Sequence, residues 1–234
     1  MTVCALFSGG KDSSLAVLRA ESGDVATGAV DGGVDALVSV APEPASAMFH
    51  VPAVEVAGTV ADATPYDHHA VEATTDDMAP LRRLLEELDA SAVVTGAVAS
   101  SYQRERVDAL CETIGAEPVH PLWHDDPAAI LRDAAETFDV VITGVAADGL
   151  DDEWLGATLT PDRVERLLAL EDEYGVHPAG EGGEFETLVV DGPHMDRRLA
   201  LEYDVDWDGI RGSLNVTSAE LVDGDRDVGK TRRR

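Results

Sequence analysis

Residues 2–22 read TVCALFSGGKDSSLAVLRAES, and the order of residue types in this stretch decides the fold. Val3 to Phe7 is a short apolar run rich in strand formers, and Leu15, Val17 and Leu18 put an apolar side on the helix that follows. Between them lies SGGKDSS, Ser8 to Ser14. Two glycines let the backbone turn tightly, and the amides of the first helical turn then point, with the helix dipole behind them, at whatever anion sits above the strand. Lys11 adds a point charge, Ser8 and Ser13 add hydroxyl donors, and Asp12 is placed to orient the loop or help hold a divalent cation. Strand, glycine turn and helix in this order form a phosphate cradle.

Outward from this unit, apolar runs alternate with amphipathic stretches, which predicts an α/β fold with a mostly parallel sheet. Further strands are expected at Ala36–Val40, Ala53–Val56, Ala92–Thr95, Pro118–Leu122 and Val140–Val145. Helices are expected over MAPLRRLLEELDA (78–90), QRERVDALCETIG (103–115), DPAAILRDAAET (126–137) and TPDRVERLLALEDEYG (160–175). The last two open on Asp126 and Thr160, each a side-chain acceptor placed ahead of a proline at the first helical position. ESGDVATGAVDGGVD (21–35) reads as a surface loop with a short extra element, and the pair His68-His69 as loop surface without metal-ligand spacing. GDRDVGKT (224–231) matches the spacing of a Walker loop, but only three residues follow Thr231, so no helix can supply the amide cradle.

The 234 residues carry 46 acidic against 17 basic side chains, a net charge of −29. Lysine occurs only at Lys11 and Lys230, and Asp outnumbers Glu by 27 to 19. This composition resembles that of proteins from salt-in halophiles, where molar salt screens charges over about 3 Å. One of two retained lysines therefore stands inside the phosphate loop. Clustered basic residues for nucleic acid are confined to the terminal TRRR, so stable nucleic-acid binding is not expected. Mean hydropathy is −0.07, and no apolar run approaches the ~18 residues of a membrane span. With no signal-peptide pattern ahead of the first strand, a soluble cytoplasmic protein is expected. Cys4 and Cys111 suit neither a disulfide framework nor a thiolate metal site and read as small buried hydrophobes.

SGGKDS resembles the signature of the PP-loop ATP pyrophosphatases, which cleave ATP between the α and β phosphates and adenylate a carbonyl-type oxygen. APEPASAMFH (41–50), TGAVASSYQRERV (95–107), PLW (121–123), VAADGLDDEWLG (145–156) and GVHPAGEGGEFETLVVDGP (175–193), in this order, are similar to the diphthine:ammonia ligase family. The resemblance implies a Rossmann-like domain over 1–124, a smaller α/β part over 125–222 with the site in the cleft between them, and a polar tail at 223–234. It implies ATP and Mg2+, amidation of the diphthine carboxylate of elongation factor 2 through an acyl-adenylate, and ammonium as nitrogen source. Homo-oligomerisation stays open. A tRNA-modifying PP-loop enzyme, or a regulatory protein that binds ATP or AMP without turnover, are the alternatives.

TGAVASSYQRERV should sit where a strand ends and a helix begins, the carboxyl edge at which open α/β sheets bind ligands. Ser8, Gly9, Gly10, Lys11, Asp12, Ser13, Gly96, Ser100, Tyr102 and Gln103 are thus expected to bind ATP, with Asp12 toward the metal. An inward-facing Arg104 would stabilise the pentavalent phosphorus better than a lysine could, which makes it a catalytic candidate beside Lys11. EGGEFET sets Glu181, Glu184 and Glu186 around a glycine turn, and Glu184 and Glu186 are expected to face ammonium or the quaternary ammonium of diphthine. Trp154 could offer such a group a π face. Phe49, His50 and His177 complete the substrate-side candidates, either histidine able to take a proton from ammonium.

Overall fold

The structure is a computed structural model and describes residues 2–23, 25, 27–42, 54–73, 77–223 and 232–233. The chain divides into two compact units, Met1–Ser8 with Asp12–Asp62 and Tyr66–His124, and Gly9–Lys11 with Ala63–Pro65 and Asp125–Arg234.

The first unit runs β1 (Thr2–Leu6), α1 (Lys11–Ser22), β2 (Ala36–Pro42), α2 (Val54–Ala61), β3 (Asp67–Ala73), α3 (Ala79–Glu87), β4 (Ala90–Val94), α4 (Ser101–Ile114) and β5 (Glu117–Val119). Its sheet has the order β3-β2-β1-β4-β5, and every neighbouring pair is parallel. From β1 the chain winds outward to β2 and β3, then returns past β1 to β4 and β5. The winding direction reverses between β1 and β4, and the loops leaving the carboxyl ends of those two strands are the phosphate loop and TGAVASS. One face of the sheet is sealed by a cluster in which Cys4, Val38, Val40 and Val93 meet Leu81 and Leu85 of α3 and Val107, Leu110 and Cys111 of α4. Burial pushes the thiols of Cys4 and Cys111 up to about 11 and about 12, with Asp35 and Asp108 adding to it, and both are unoxidised.

Three expectations need correction here. Ala53–Val56 does not form a strand: Val54–Ala61 is α2, with Val56, Ala57, Val60 and Ala61 buried at helical spacing. His68-His69 is not loop but the start of β3, which pairs with β2 over its whole length, and His68 Nε2 lies 3.0 Å from the Ser39 hydroxyl. Burial lowers the His68 pKa below that of an exposed imidazole. The third is β5, which stops at Val119; Pro121 to His124 form a turn instead. Within 21–35 the short element is a 3-10 turn over Gly28–Val30, capped by the Thr27 hydroxyl.

The second unit contains α5 (Pro127–Thr137), β6 (Asp139–Val145), α6 (Pro161–Tyr174), β7 (Phe185–Asp191), β8 (Arg198–Trp207), β9 (Gly212–Val222) and β10 (Arg232–Arg233), with sheet order β10-β8-β9-β6-β7. Asp126 and Thr160 cap α5 and α6 as their sequence context predicts, accepting from Ala128 N at 3.3 Å and Arg163 N at 3.4 Å. β6 pairs antiparallel with both β7 and β9, and β8 with β9 forms a long antiparallel ribbon. Leu199, Leu201 and Tyr203 alternate into the core along β8, the period of a half-buried strand. Among the described residues no helix is long and apolar enough to cross a membrane.

Candidate active site

The phosphate loop is shaped by bonds within its own few residues. Gly9 has φ 76°, a conformation that a side chain disfavours. Ser8 N donates to Ser13 Oγ at 3.3 Å and the two hydroxyls lie 3.2 Å apart, which brings the start of the loop and the first turn of α1 together. In the second unit, Val189 N donates to Gly9 O at 2.8 Å and Lys11 N to Thr187 Oγ1 at 3.2 Å, so β7 fixes Gly9–Lys11. The Lys11 side chain is only 2% exposed. Its ammonium donates to Ala179 O at 2.6 Å and lies 5.3 Å from the centre of the Phe185 ring. A buried ammonium is costly unless it is paired, and here a carbonyl and a π face meet it.

Gly96, in the loop after β4, is required by close approach. A Cβ built there would lie 2.8 Å from Asp12 C and Ser13 N and 2.9 Å from Asp12 O. The β4 loop therefore lies against the backbone at the start of α1, and no other residue type leaves that backbone where it is. Ser100 caps α4 by accepting from Gln103 N at 3.4 Å. Tyr102 is 45% exposed, with the Arg106 guanidinium 5.4 Å from its ring centre. Arg104 stacks on Trp123 at 4.8 Å, and its Nε lies 3.3 Å from Asp108 Oδ2.

Within EGGEFET the glutamates have different places. Glu184 Oε2 accepts from Gly182 N at 2.8 Å and Oε1 from His177 N at 3.3 Å, so this carboxylate shapes its own turn. Glu186 pairs across the sheet with Gly144, where a Cβ would come within 3.3 Å of the Glu186 side chain. Glu181 is half-buried in the turn. His177 Nδ1 accepts from Ala179 N at 3.2 Å, which puts the proton of the neutral ring on Nε2. Trp154 does not present a π face to a ligand: it is 4% exposed and Arg166 covers its ring at 4.9 Å, so it packs as a core residue. Phe49, His50 and the Walker-like 224–231 lie outside the described residues.

Side chains that the sequence reading passed over are Thr95, Asp108, His120 and Trp123. Thr95 Oγ1 lies 2.9 Å from His120 Nδ1, and His120 Nε2 lies 2.7 Å from Asp108 Oδ1. Their separations of 12 and 25 residues carry no local period, and only the parallel pairing of β4 with β5 brings them together.

A parallel sheet with a glycine-serine-lysine loop at its switch point, met there by a second glycine loop, defines a PP-loop protein with a Rossmann-like fold. Family models described as the diphthamide synthase N-terminal domain and the diphthamide synthase C-terminal domain match residues 1–118 and 126–222, and the chain belongs to this family. It is 30% identical over 222 residues to the diphthine–ammonia ligase of Danio rerio, covering 86% of this chain and 87% of that protein. The Bos taurus protein of the same name is 30% identical over 227 residues, covering 86% and 83%. The Schizosaccharomyces pombe protein of that name is 37% identical over 132 residues, which are 54% of this chain and 22% of that protein. The chain thus spans about a fifth of the fission-yeast relative, and with the Rattus norvegicus one the match covers 48% of that protein.

Proposed function

We propose that this protein is an enzyme that amidates the carboxylate of diphthine on elongation factor 2 with ammonium, consuming ATP and releasing AMP and pyrophosphate. The observation that carries the reading is the phosphate loop at the β1/β4 switch point, with Gly96 against the backbone of Asp12 and Ser13, in a chain whose relatives bear the name diphthine–ammonia ligase.

A carboxylate is a poor acyl donor until one oxygen becomes a leaving group, and transfer to the α-phosphorus of ATP supplies this, with Mg2+ neutralising the pyrophosphate that departs. The loop suits that load. It offers backbone amides at a helix start, the hydroxyls of Ser8 and Ser13 and the charge of Lys11, and Gly96 packs directly against its backbone. Among the described residues no group of three His, Cys, Asp or Glu could hold a metal ion. Asp12 with phosphate oxygens and water is the donor set that Mg2+ usually takes in such sites.

In this reading Ser8, Gly9, Gly10, Lys11 and Ser13 hold the phosphates, and Ser100, Tyr102 and Gln103 line the nucleotide from the start of α4. Arg104 meets the charge that develops on the α-phosphate. Glu184 keeps the turn in shape, and Glu186 with Glu181 supplies negative charge for ammonium or the trimethylammonium of diphthine. His177, whose Nδ1 already accepts from Ala179 N so that Nε2 carries the ring proton, donates from Nε2 to the substrate, and the nucleophile is ammonia in equilibrium with ammonium. Ammonia then displaces AMP from the acyl-adenylate.

The test is formation of AMP and pyrophosphate by the purified protein in molar KCl with ATP, Mg2+, ammonium and diphthine-bearing elongation factor 2. Formation that needs both the factor and ammonium, and that Lys11→Ala abolishes, is the expected result. Nucleotide-induced stabilisation without turnover would favour a regulatory protein instead, and AMP formed only with tRNA would favour the tRNA-modifying reading.

A further inference from the structure

We infer that Thr95, His120 and Asp108 form a relay that fixes the Arg104 guanidinium for the adenylation step, and that these three are positioning residues of the reaction. The inference rests on the proposal that Arg104 serves the α-phosphate.

A carboxylate can only accept, so the 2.7 Å contact between His120 Nε2 and Asp108 Oδ1 puts the imidazole proton on Nε2. In the neutral ring Nδ1 is then an acceptor and takes the Thr95 hydroxyl proton at 2.9 Å, while Thr95 Oγ1 accepts in turn from Ala97 N at 3.4 Å. With the ring neutral, every group in the chain has one direction of donation, which selects a single tautomer of His120. The second Asp108 oxygen forms an ion pair with Arg104 Nε at 3.3 Å, without hydrogen-bond alignment. Trp123 covers one face of the guanidinium at 4.8 Å and itself packs against His120, ring centres 6.4 Å apart. The Nε side thus faces a carboxylate and one face a ring, and neither contact uses the edge formed by Nη1 and Nη2. That edge has the planar fork that matches two oxygens of a phosphate.

The relay begins in the loop that also carries Gly96, which lies against the backbone of Asp12 and Ser13. The position of the Arg104 fork is therefore referred to the same backbone that would hold the phosphates. Stability alone does not account for the arrangement. Arg104 and Asp108 are 40% and 33% exposed, and half-exposed i,i+4 pairs contribute little to folding.

The experiment is a double-mutant cycle between Asp108 and Arg104, read as kcat and KM for ATP in the AMP-forming assay and backed by thermal melts. Asp108→Asn keeps an acceptor for His120 but turns an amide toward Arg104. It should melt like the wild type, lower kcat about tenfold and leave KM for ATP within about twofold. Asp108→Ala should lower kcat at least as far in the wild-type background and cost nothing further in Arg104→Ala. Wild-type kcat in Asp108→Asn, or losses that add fully in the double variant, overturn the relay. Nitrogen-15 NMR of the histidines judges it without the enzyme assay: His120 should show the Nε2–H tautomer alone, and a tautomer mixture in the wild type overturns the relay. An inactive wild type with a single His120 tautomer instead counts against the proposed function and leaves the relay standing.

Discussion

Gly96→Ala tests the packing that joins the β4 loop to the phosphate loop. The added methyl would stand 2.8 Å from Asp12 C and Ser13 N, where ordinary contact begins at 3.4 Å, so about 0.6 Å must be recovered (3.4 − 2.8) by moving backbone and not a flexible side chain. Overpacking of this kind costs about 1–3 kcal/mol. With a urea m-value near ~3 kcal/mol/M, that is a midpoint shift of roughly 0.3–1 M to lower denaturant. Gly32→Ala is the control: nothing lies within 4 Å of its Cβ and its φ is not positive, so its midpoint should be unchanged or slightly raised. Both variants are unfolded in urea at fixed molar KCl, and nucleotide-induced stabilisation is then measured on each. Gly96→Ala should also lose most of that stabilisation, because the loop backbone is what moves. A Gly96→Ala protein as stable as Gly32→Ala, and equally responsive to ATP, would refute the close-approach argument.

Three other outcomes are expected. Burial holds His194 down at about 4, with its ring edge-on to Phe138 at 5.3 Å, against 6.5 for an unperturbed imidazole. Between those values the unfolded chain binds the proton and the folded one does not, so stability is full above pH 6.5 and falls as the pH drops toward 4, by on the order of 3 kcal/mol; His194→Phe should flatten that part of a pH series of urea midpoints. Cys4 and Cys111, buried and with thiols pushed up to about 11 and about 12, should take no iodoacetamide in the native protein and two equivalents after unfolding, counted by intact mass. Finally, we propose from the charge of −29 that molar salt stabilises the fold: the melting temperature followed by circular dichroism should climb steeply from 0.1 to several molar KCl, about the range over which the screening length shrinks from about 10 Å to about 3 Å or less, and a flat profile would count against that reading of the composition.

The first unit was largely legible because its signals are local and agree with one another. β1, the glycine loop and α1 follow directly in sequence; in the second unit the capped starts of α5 and α6 are legible for the same reason, each carrying an acceptor before a proline. α2 was not legible as a helix: Val54, Glu55 and Val56 suit a strand by propensity, and only burial of Val56, Ala57, Val60 and Ala61 along one side decides for the helix. β3 was obscured for the opposite reason, since DHHAVEA has few apolar residues and is held by its pairing with β2. The ribbon of β8 and β9 does carry a signal, the alternation of Leu199, Leu201 and Tyr203 ahead of the Asp208-Gly209 turn, but it lies outside the βα alternation that marks the parallel sheet.

The candidate site divides the same way. A motif shows which residues are together in sequence, so the phosphate loop and EGGEFET could be found without a structure. It does not show what a side chain is already bonded to. Nothing in the sequence of EGGEFET shows that the Glu184 carboxylate accepts from two backbone amides of its own segment. Trp154 was read as a platform for a cation, and its ring is taken by Arg166 of the same chain. The Thr95–His120–Asp108 series depends on strand pairing and leaves no pattern in the sequence at all.

Mass spectrometry of the modified histidine of elongation factor 2, after incubation with the protein, ATP, Mg2+ and ammonium in molar KCl, reads the proposed amidation itself. The expected result is the mass change of a carboxylate becoming a primary amide at that residue, with nitrogen-15 entering from labelled ammonium and no change when Lys11→Ala replaces the wild type. An unaltered diphthine mass, under conditions where the same protein sample is shown to bind ATP, would contradict it.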